Sequence, residues 1–236
     1  ATASEARAHA VPFELPQHAF WGYTEAWSGD DLVVRFKRPP DFAPAPKPAL
    51  TGLRVVIDPG HSPDTGAIGP LGTIERDVNL DIALRLASRL RALGAIVTMT
   101  RSGDESVLLY DRPALAERLG ADLLVSVHNN APPDGTDPAA SHGYSVYYFQ
   151  PHSLALAQAI HDAYRAEIDI PDAGLHSGDL ALVRPSAMPA VLTESAYITW
   201  PWEEMRLQDP SFRSRLAETM ADGIERWAAA MRALET

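Results

Sequence analysis

The chain has 236 residues, no cysteine and a formal net charge of −11, with 46% hydrophobic and 22% charged residues. That length can bury a full core. The lack of cysteine excludes a disulfide framework and thiolate metal ligands, and acidity without a Lys/Arg cluster argues against a nucleic-acid partner. No window approaches the ~18–20 apolar residues of a membrane span, and residues 1–10 lack the apolar core of a signal peptide.

Residues 1–19 carry no clear periodicity and read as flexible. Residues 20–38 read as a β-hairpin: an aromatic-rich strand, the turn residues Ser28-Gly29-Asp30-Asp31, then Leu32-Val33-Val34-Arg35-Phe36. A lone hairpin is marginal in water, so it either packs on the main domain or is the remnant of a larger β module. Pro39, Pro40, Pro44, Pro46 and Pro48 make residues 39–48 a semi-rigid linker. Residues 1–48 are therefore expected to form the flexible N-terminus, hairpin and linker, and residues 49–236 the main domain.

From Leu53 onward strands and helices alternate. Val55-Val56-Ile57 is an apolar run of the kind that forms a buried parallel strand. Val78, Ile82, Leu86, Leu90 and Leu93 predict a helix over 76–93 that stops at Gly94. A strand at 95–100, a helix at about 110–119 and a strand from Leu123 to His128 follow. Residues 143–149 alternate as a strand, 152–168 carry a helical stripe, and 180–183 and 190–193 read as short strands. A final helix carries Phe212, Leu216, Met220, Ile224, Trp227, Met231 and Leu234. The pattern predicts an α/β fold: an open, twisted, mostly parallel sheet with helices on both faces, preceded by the short hairpin.

Three apolar runs each deliver one reactive side chain at the same end: His61 after Val55-Val56-Ile57, His128 after Leu123-Leu124-Val125, and Glu194 after Val191-Leu192-Thr193. Ligands in open α/β sheets gather past the carboxyl ends of strands. His61, Glu75 and His128 make up two imidazoles and a carboxylate, the protein ligands of catalytic zinc sites, which leave a fourth position for water. Non-haem iron uses the same set, so the residues alone do not identify the metal. Zinc would acidify its water and polarise a carbonyl. Glu194 is placed to move the proton. Taken singly, a strand-end histidine is more often structural, and Glu75 before a helix would merely favour the dipole.

Asp58-Pro59-Gly60-His61, Asp64-Thr65-Gly66-Ala67-Ile68-Gly69, Glu75-Arg76-Asp77-Val78-Asn79-Leu80, Ser126-Val127-His128-Asn129-Asn130 and Met188-Pro189-Ala190-Val191-Leu192-Thr193-Glu194-Ser195 occur in this order. These blocks, within residues 53–230, resemble those of the zinc-dependent N-acetylmuramoyl-L-alanine amidases (amidase type 3). The resemblance implies one Zn2+ on His61, Glu75 and His128, Glu194 as the catalytic carboxylate, and hydrolysis of the amide between N-acetylmuramic acid and L-alanine. Ser62-Pro63 stands where family members often have glycines. Asn129-Asn130 and the 196–200 stretch also depart from the usual pattern, and none of these changes removes a ligand.

Asn129, Asn130 and Arg184 are candidate substrate contacts, and Asp58 and Ser126 candidate supports for the ligands. Trp21, Trp27, Trp200 and Trp202 could stack on sugars, although packing is the plainer role. Phe149 runs almost directly into the next helix, which leaves no room for an autoinhibitory insertion. A metal-free glycosidase using Glu75 and Glu194 would leave both histidines idle. A stem-peptide metallopeptidase and a non-catalytic peptidoglycan-binding module are the remaining alternatives. The expected setting is the cell envelope, periplasmic or extracellular, with peptidoglycan as the partner, a monomeric protein, and roles that include cell separation.

Overall fold

The computed structural model describes residues 20–133, 135, 137 and 141–234. The expectation for residues 1–19 lies outside them. The hairpin forms as the alternation predicts, with β1 (Gly22–Ser28) pairing antiparallel to β2 (Asp31–Lys37). It is anchored by what precedes it: Trp21 is buried against Trp227, ring centroids 5.1 Å apart, and its Nε1 donates to Asp122 O at 2.7 Å. Lys37 Nζ donates to Ala121 O from the far strand. The linker is pinned as well, because Glu225 accepts from the amides of Ala49 and Leu50.

The main sheet has six strands in the order β4-β3-β5-β8-β6-β7. These are β3 (Arg54–Pro59), β4 (Ile96–Met99), β5 (Leu123–Asn130), β6 (Tyr144–Tyr148), β7 (Asp172–Ser177) and β8 (Ala190–Tyr197). The first four in spatial order run parallel, β6 runs antiparallel to β8, and β7 is parallel to β6. Two strand expectations change. Residues 180–183 form a turn, in which Leu182 and Val183 are drawn into a small buried cluster. Residues 172–177, polar and glycine-bearing, form edge strand β7 instead. Strands β5 and β8 also run past His128 and Glu194, pairing again at Asn130 and Tyr197 after a register irregularity.

Helix α1 (Glu75–Ala92) follows β3 and buries Val78, Ile82, Leu86 and Leu90, one stripe at every fourth residue. Its end closes where the amide of Ala95 donates to Leu90 O. Helix α2 (Asp111–Arg118) is short, and a 3-10 turn at Pro151–Ser153 leads into α3 (Leu154–Glu167). The C-terminal segment breaks at Asp209 into α4 (Pro201–Gln208) and α5 (Pro210–Ala233); Asp209 caps α5 by accepting from the Ser211 amide.

Strand alternation sorts side chains to two faces. Val55, Ile57, Leu123, Val125, Val127 and Val191 face α1, α3 and α5 and form the main core. Val56, Leu124, Ala190 and Leu192 face a thinner cover made of α2 and the segment containing Leu182 and Val183. His128 and Glu194 share the parity of that second set. Because β5 and β8 are neighbours with His128 opposite Glu194, both side chains emerge side by side on the thinly covered face. No helix among the described residues is long and apolar enough to cross a membrane.

Candidate metal centre

Each ligand candidate comes from a different element. His61 lies on the turn after β3, Glu75 is the first residue of α1, and His128 is on β5. One donor atom from each lies within 4.8 Å of the other two. Glu75 Oε1 is 3.0 Å from His61 Nε2 and 3.1 Å from His128 Nδ1. Ligand atoms ~2.0–2.1 Å from one tetrahedral ion sit roughly 3.3–3.4 Å apart, so the Glu75 oxygen already stands near ligand spacing from both imidazoles. Glu194 lines the same cleft, and its buried Oε2 has no hydrogen-bond partner. Both the donor set and this orphaned acceptor fit a metal ion with a water beside it.

The turn carrying His61 is backbone-strained. His61 has φ 66° and Ser62 φ 88°, the left-handed region that non-glycine residues enter at a cost of about 1–3 kcal/mol each. Two buried arginines hold the turn. Arg112 Nη1 donates to Asp58 Oδ1 and Pro59 O, both at 2.9 Å, and its Nη2 to His61 O at 2.6 Å and Ser62 O at 3.0 Å. Arg101 Nε donates to Pro59 O, while its Nη2 reaches Gly60 O at 2.9 Å and Arg76 O at 2.7 Å. Arg101 thus ties the His61 turn to the start of α1, where Glu75 sits.

Two glycines are required by close approach. A Cβ on Gly60 would lie 2.2 Å from the His128 ring. On Gly66, already at φ 63°, it would lie 2.5 Å from Glu75 Oε2 and 2.6 Å from the His61 ring.

A second layer orients the ligands. Asp64 Oδ1 is 2.5 Å from His61 Nδ1, so the other ring nitrogen faces Glu75. Asn79 Nδ2 donates to Glu75 Oε1 at 3.1 Å, and the Ala67 amide to Oε2 at 2.9 Å. Asp58, fully buried, accepts from Ser126 Oγ at 2.7 Å and Thr100 Oγ1 at 2.6 Å as well as from Arg112. The sequence assigns no role to Asp64, which stands in one of the ordered blocks, or to Arg101 and Arg112. An aspartate three residues after a histidine and ahead of a glycine was the one local signal; the arginines offered none.

Of the candidate substrate contacts, Asn129 is buried, its Nδ2 donating to Asn79 Oδ1 at 2.8 Å beneath the Glu75 carboxylate. Asn130 has the opposite parity, lines the cleft and accepts from the Ala131 amide. Arg184 is exposed and pairs with Asp179 at 2.8 Å, apart from the cleft lining. Trp27 and Trp202 are exposed, and Trp200 lies against His142. The cleft, about 400 Å³, sets its polar wall of ligands opposite Leu109, Leu180, Ala181, Leu182 and Leu192. A larger groove of about 940 Å³ between the hairpin, α3 and α5 contains none of these chemical groups.

The electrostatics divide the two carboxylates. Burial works to raise Glu75, but hydrogen bonds from His128 and His61 outweigh it and hold the carboxyl far below the usual range. Burial likewise works to lower His61, yet Glu75 and Asp64 raise it overall. For Glu194, burial and then the nearby Glu75 charge both push well above the ordinary value. One carboxyl held ionised beside one whose affinity for a proton is raised is the arrangement expected of a binding group and a proton-accepting group.

Residues 55–226 match the family model described as N-acetylmuramoyl-L-alanine amidase. The chain is 34% identical over 178 residues to the N-acetylmuramoyl-L-alanine amidase LytC of Bacillus subtilis, covering 75% of this chain and 36% of that protein. It is 32% identical over 219 residues to the N-acetylmuramoyl-L-alanine amidase AmiA of Escherichia coli, covering 72% and 74%. Among solved structures, the amidase AmiC2 of Nostoc punctiforme superposes with a TM-score of 0.70 at 36% identity, over 75% of this chain and 98% of that one. The chain spans about a third of the length of LytC.

Proposed function

The chain belongs to the N-acetylmuramoyl-L-alanine amidase family, and on that premise we propose that it is a zinc-dependent hydrolase of the amide between N-acetylmuramic acid and L-alanine in bacterial peptidoglycan. The observation that carries this reading is the convergence of His61, Glu75 and His128 within 4.8 Å, beside the half-buried Glu194, whose Oε2 is buried without a hydrogen-bond partner.

His61, Glu75 and His128 would hold one zinc ion. A zinc ion there supplies Lewis acidity toward the amide carbonyl and acidifies a water. Glu194 accepts the proton of the attacking water and delivers it to the departing alanine nitrogen. Asp64 and Asn79 keep the His61 and Glu75 side chains aimed. The apolar wall of Leu180, Leu182 and Leu192 limits bulk water around the proton being moved. Asn130 and Arg184 are the proposed contacts to the rest of the substrate, and Asn129 acts through Asn79.

The substrate places the protein at the cell envelope, periplasmic or extracellular. Only Phe149 and Gln150 separate β6 from the 3-10 turn at Pro151, so no inserted helix covers the cleft at that point, and the purified protein is expected to act without an activator. Residues 49–236 form the proposed catalytic domain.

The test is a digest of purified peptidoglycan with and without chelator and zinc add-back. New alanine α-amino groups that vanish with chelator and return with zinc are expected. Cleavage within the stem peptide would assign a metallopeptidase instead. Zinc binding without any product would assign a binding module.

A further inference from the structure

The proton-transfer role proposed for Glu194 requires its carboxylate to be aimed, yet Oε2 is buried with no partner. A second buried atom shares that condition: Ser145 Oγ on β6 also lacks a partner. The two residues are directly opposed, since Ser145 pairs with Glu194 across the antiparallel β6–β8 ladder.

They also lie on the same face. Tyr144 and Val146 point into the main core, which turns Ser145 and Tyr147 toward the other face. Thr193 reaches Met220, and Ser195 is bonded to Tyr164, so Glu194 between them also points to that other face. Opposed same-face residues in an antiparallel pair have Cβ atoms about 4.5–5.5 Å apart. At that spacing one rotation about the serine χ1 brings Oγ to a glutamate oxygen. Ser145 is about 1% exposed, so bulk water is not a ready substitute partner. An unsatisfied buried hydroxyl beside an unsatisfied buried carboxylate is costly for both, and each is the other's available remedy.

We propose that Ser145 is a positioning residue for Glu194, its hydroxyl donating to the carboxylate and fixing the rotamer from which the proton is accepted and delivered. The inference rests on the reading of Glu194 given above. It adds a residue that is neither a ligand candidate nor part of the cleft lining, reached only through Glu194, and β6 lies beside β8 because of the sheet order.

The experiment compares wild type, Ser145→Ala, Ser145→Thr and Glu194→Gln with soluble muramyl-peptide fragments, measuring kcat, KM, bound zinc and melting temperature. In Ser145→Ala, kcat is expected to fall on the order of tenfold or more, as for loss of a hydrogen bond to a charged group. KM, zinc content and melting should stay near wild type. Ser145→Thr, which keeps the hydroxyl, should recover most of kcat. Unchanged kcat in Ser145→Ala would overturn the proposal, and so would a loss accompanied by zinc release or by unfolding that threonine does not repair. Glu194→Gln separates the two readings. If it retains turnover, the role of Glu194 itself fails; if it is inactive while Ser145→Ala is fully active, only the serine's role fails.

Discussion

Glu194 is the residue most at odds with its surroundings. A carboxyl whose Oε2 is sealed from solvent, near the ionised Glu75, resists losing its proton, and its folded-state value rises above the ordinary one near 4.5. A raised acid opposes folding once ionised in the unfolded chain, so its penalty grows as pH climbs above about 4.5. Glu194→Gln is therefore expected to abolish nearly all turnover while retaining zinc. It should also raise the melting temperature of the chelator-treated protein at neutral pH, by about 2–4 °C for each kcal/mol relieved in a chain of this size. A melting curve with no gain over wild type would contradict a carboxylate destabilised by its buried, unpartnered Oε2. His61, His128 and Glu194 were legible residue by residue as reactive side chains at the ends of apolar runs, whereas Glu75, at the start of a helix, was picked out by the ordered blocks that resemble the amidases. The parity of Asn129 and Asn130 was not legible. One lies beneath Glu75 and the other in the cleft because β5 exposes alternate residues to opposite faces.

At the scale of elements, helix α1 was readable from its fourth-residue stripe, and β3, β5 and β8 from their β-branched runs. The edge strand β7 was not, because Asp172, Gly174 and Ser177 offer neither alternation nor β propensity; its pairing with β6 alone makes it a strand. The turn between β3 and α1 is the element with most at stake. Arg112 satisfies four backbone or carboxylate oxygens there and is the buried counter-charge of Asp58, with both side chains nearly inaccessible. Arg112→Leu should destabilise the protein by about 3–5 kcal/mol, the usual result of leaving one member of a buried pair behind. It should also weaken zinc retention in chelator competition. Arg165→Ala, which breaks an exposed pair with Asp162, should change stability by less than about 1 kcal/mol. Equal effects of the two would remove the special status given to the clamp.

At the scale of the whole molecule, Trp21 anchors the hairpin beside Asp122, just before β5, while the candidate ligand His128 lies toward the other end of that strand. Trp21 fills the junction of the hairpin with α5, close to Phe42 and Trp227, whereas the ligands stand at the carboxyl end of the sheet. Trp21→Ala is expected to cost about 3–5 kcal/mol and to speed amide exchange in β1 and β2, while zinc content and kcat at a temperature below the transition stay near wild type. Loss of zinc in this variant would show that the hairpin supports the centre and would move the proposed domain boundary upstream of residue 49.

By itself the sequence determined the fold class, and it nominated the candidate donors and the acid beside them, because burial period is a property of local spacing and ligand chemistry a property of residue type. Only the tertiary structure decided which groups support them. Arg101 and Arg112 reach the His61 turn from separate parts of the chain, and Ser145 faces Glu194 only because β8 lies between β5 and β6. Strand order and register are set by how the whole chain packs, and no local pattern encodes them.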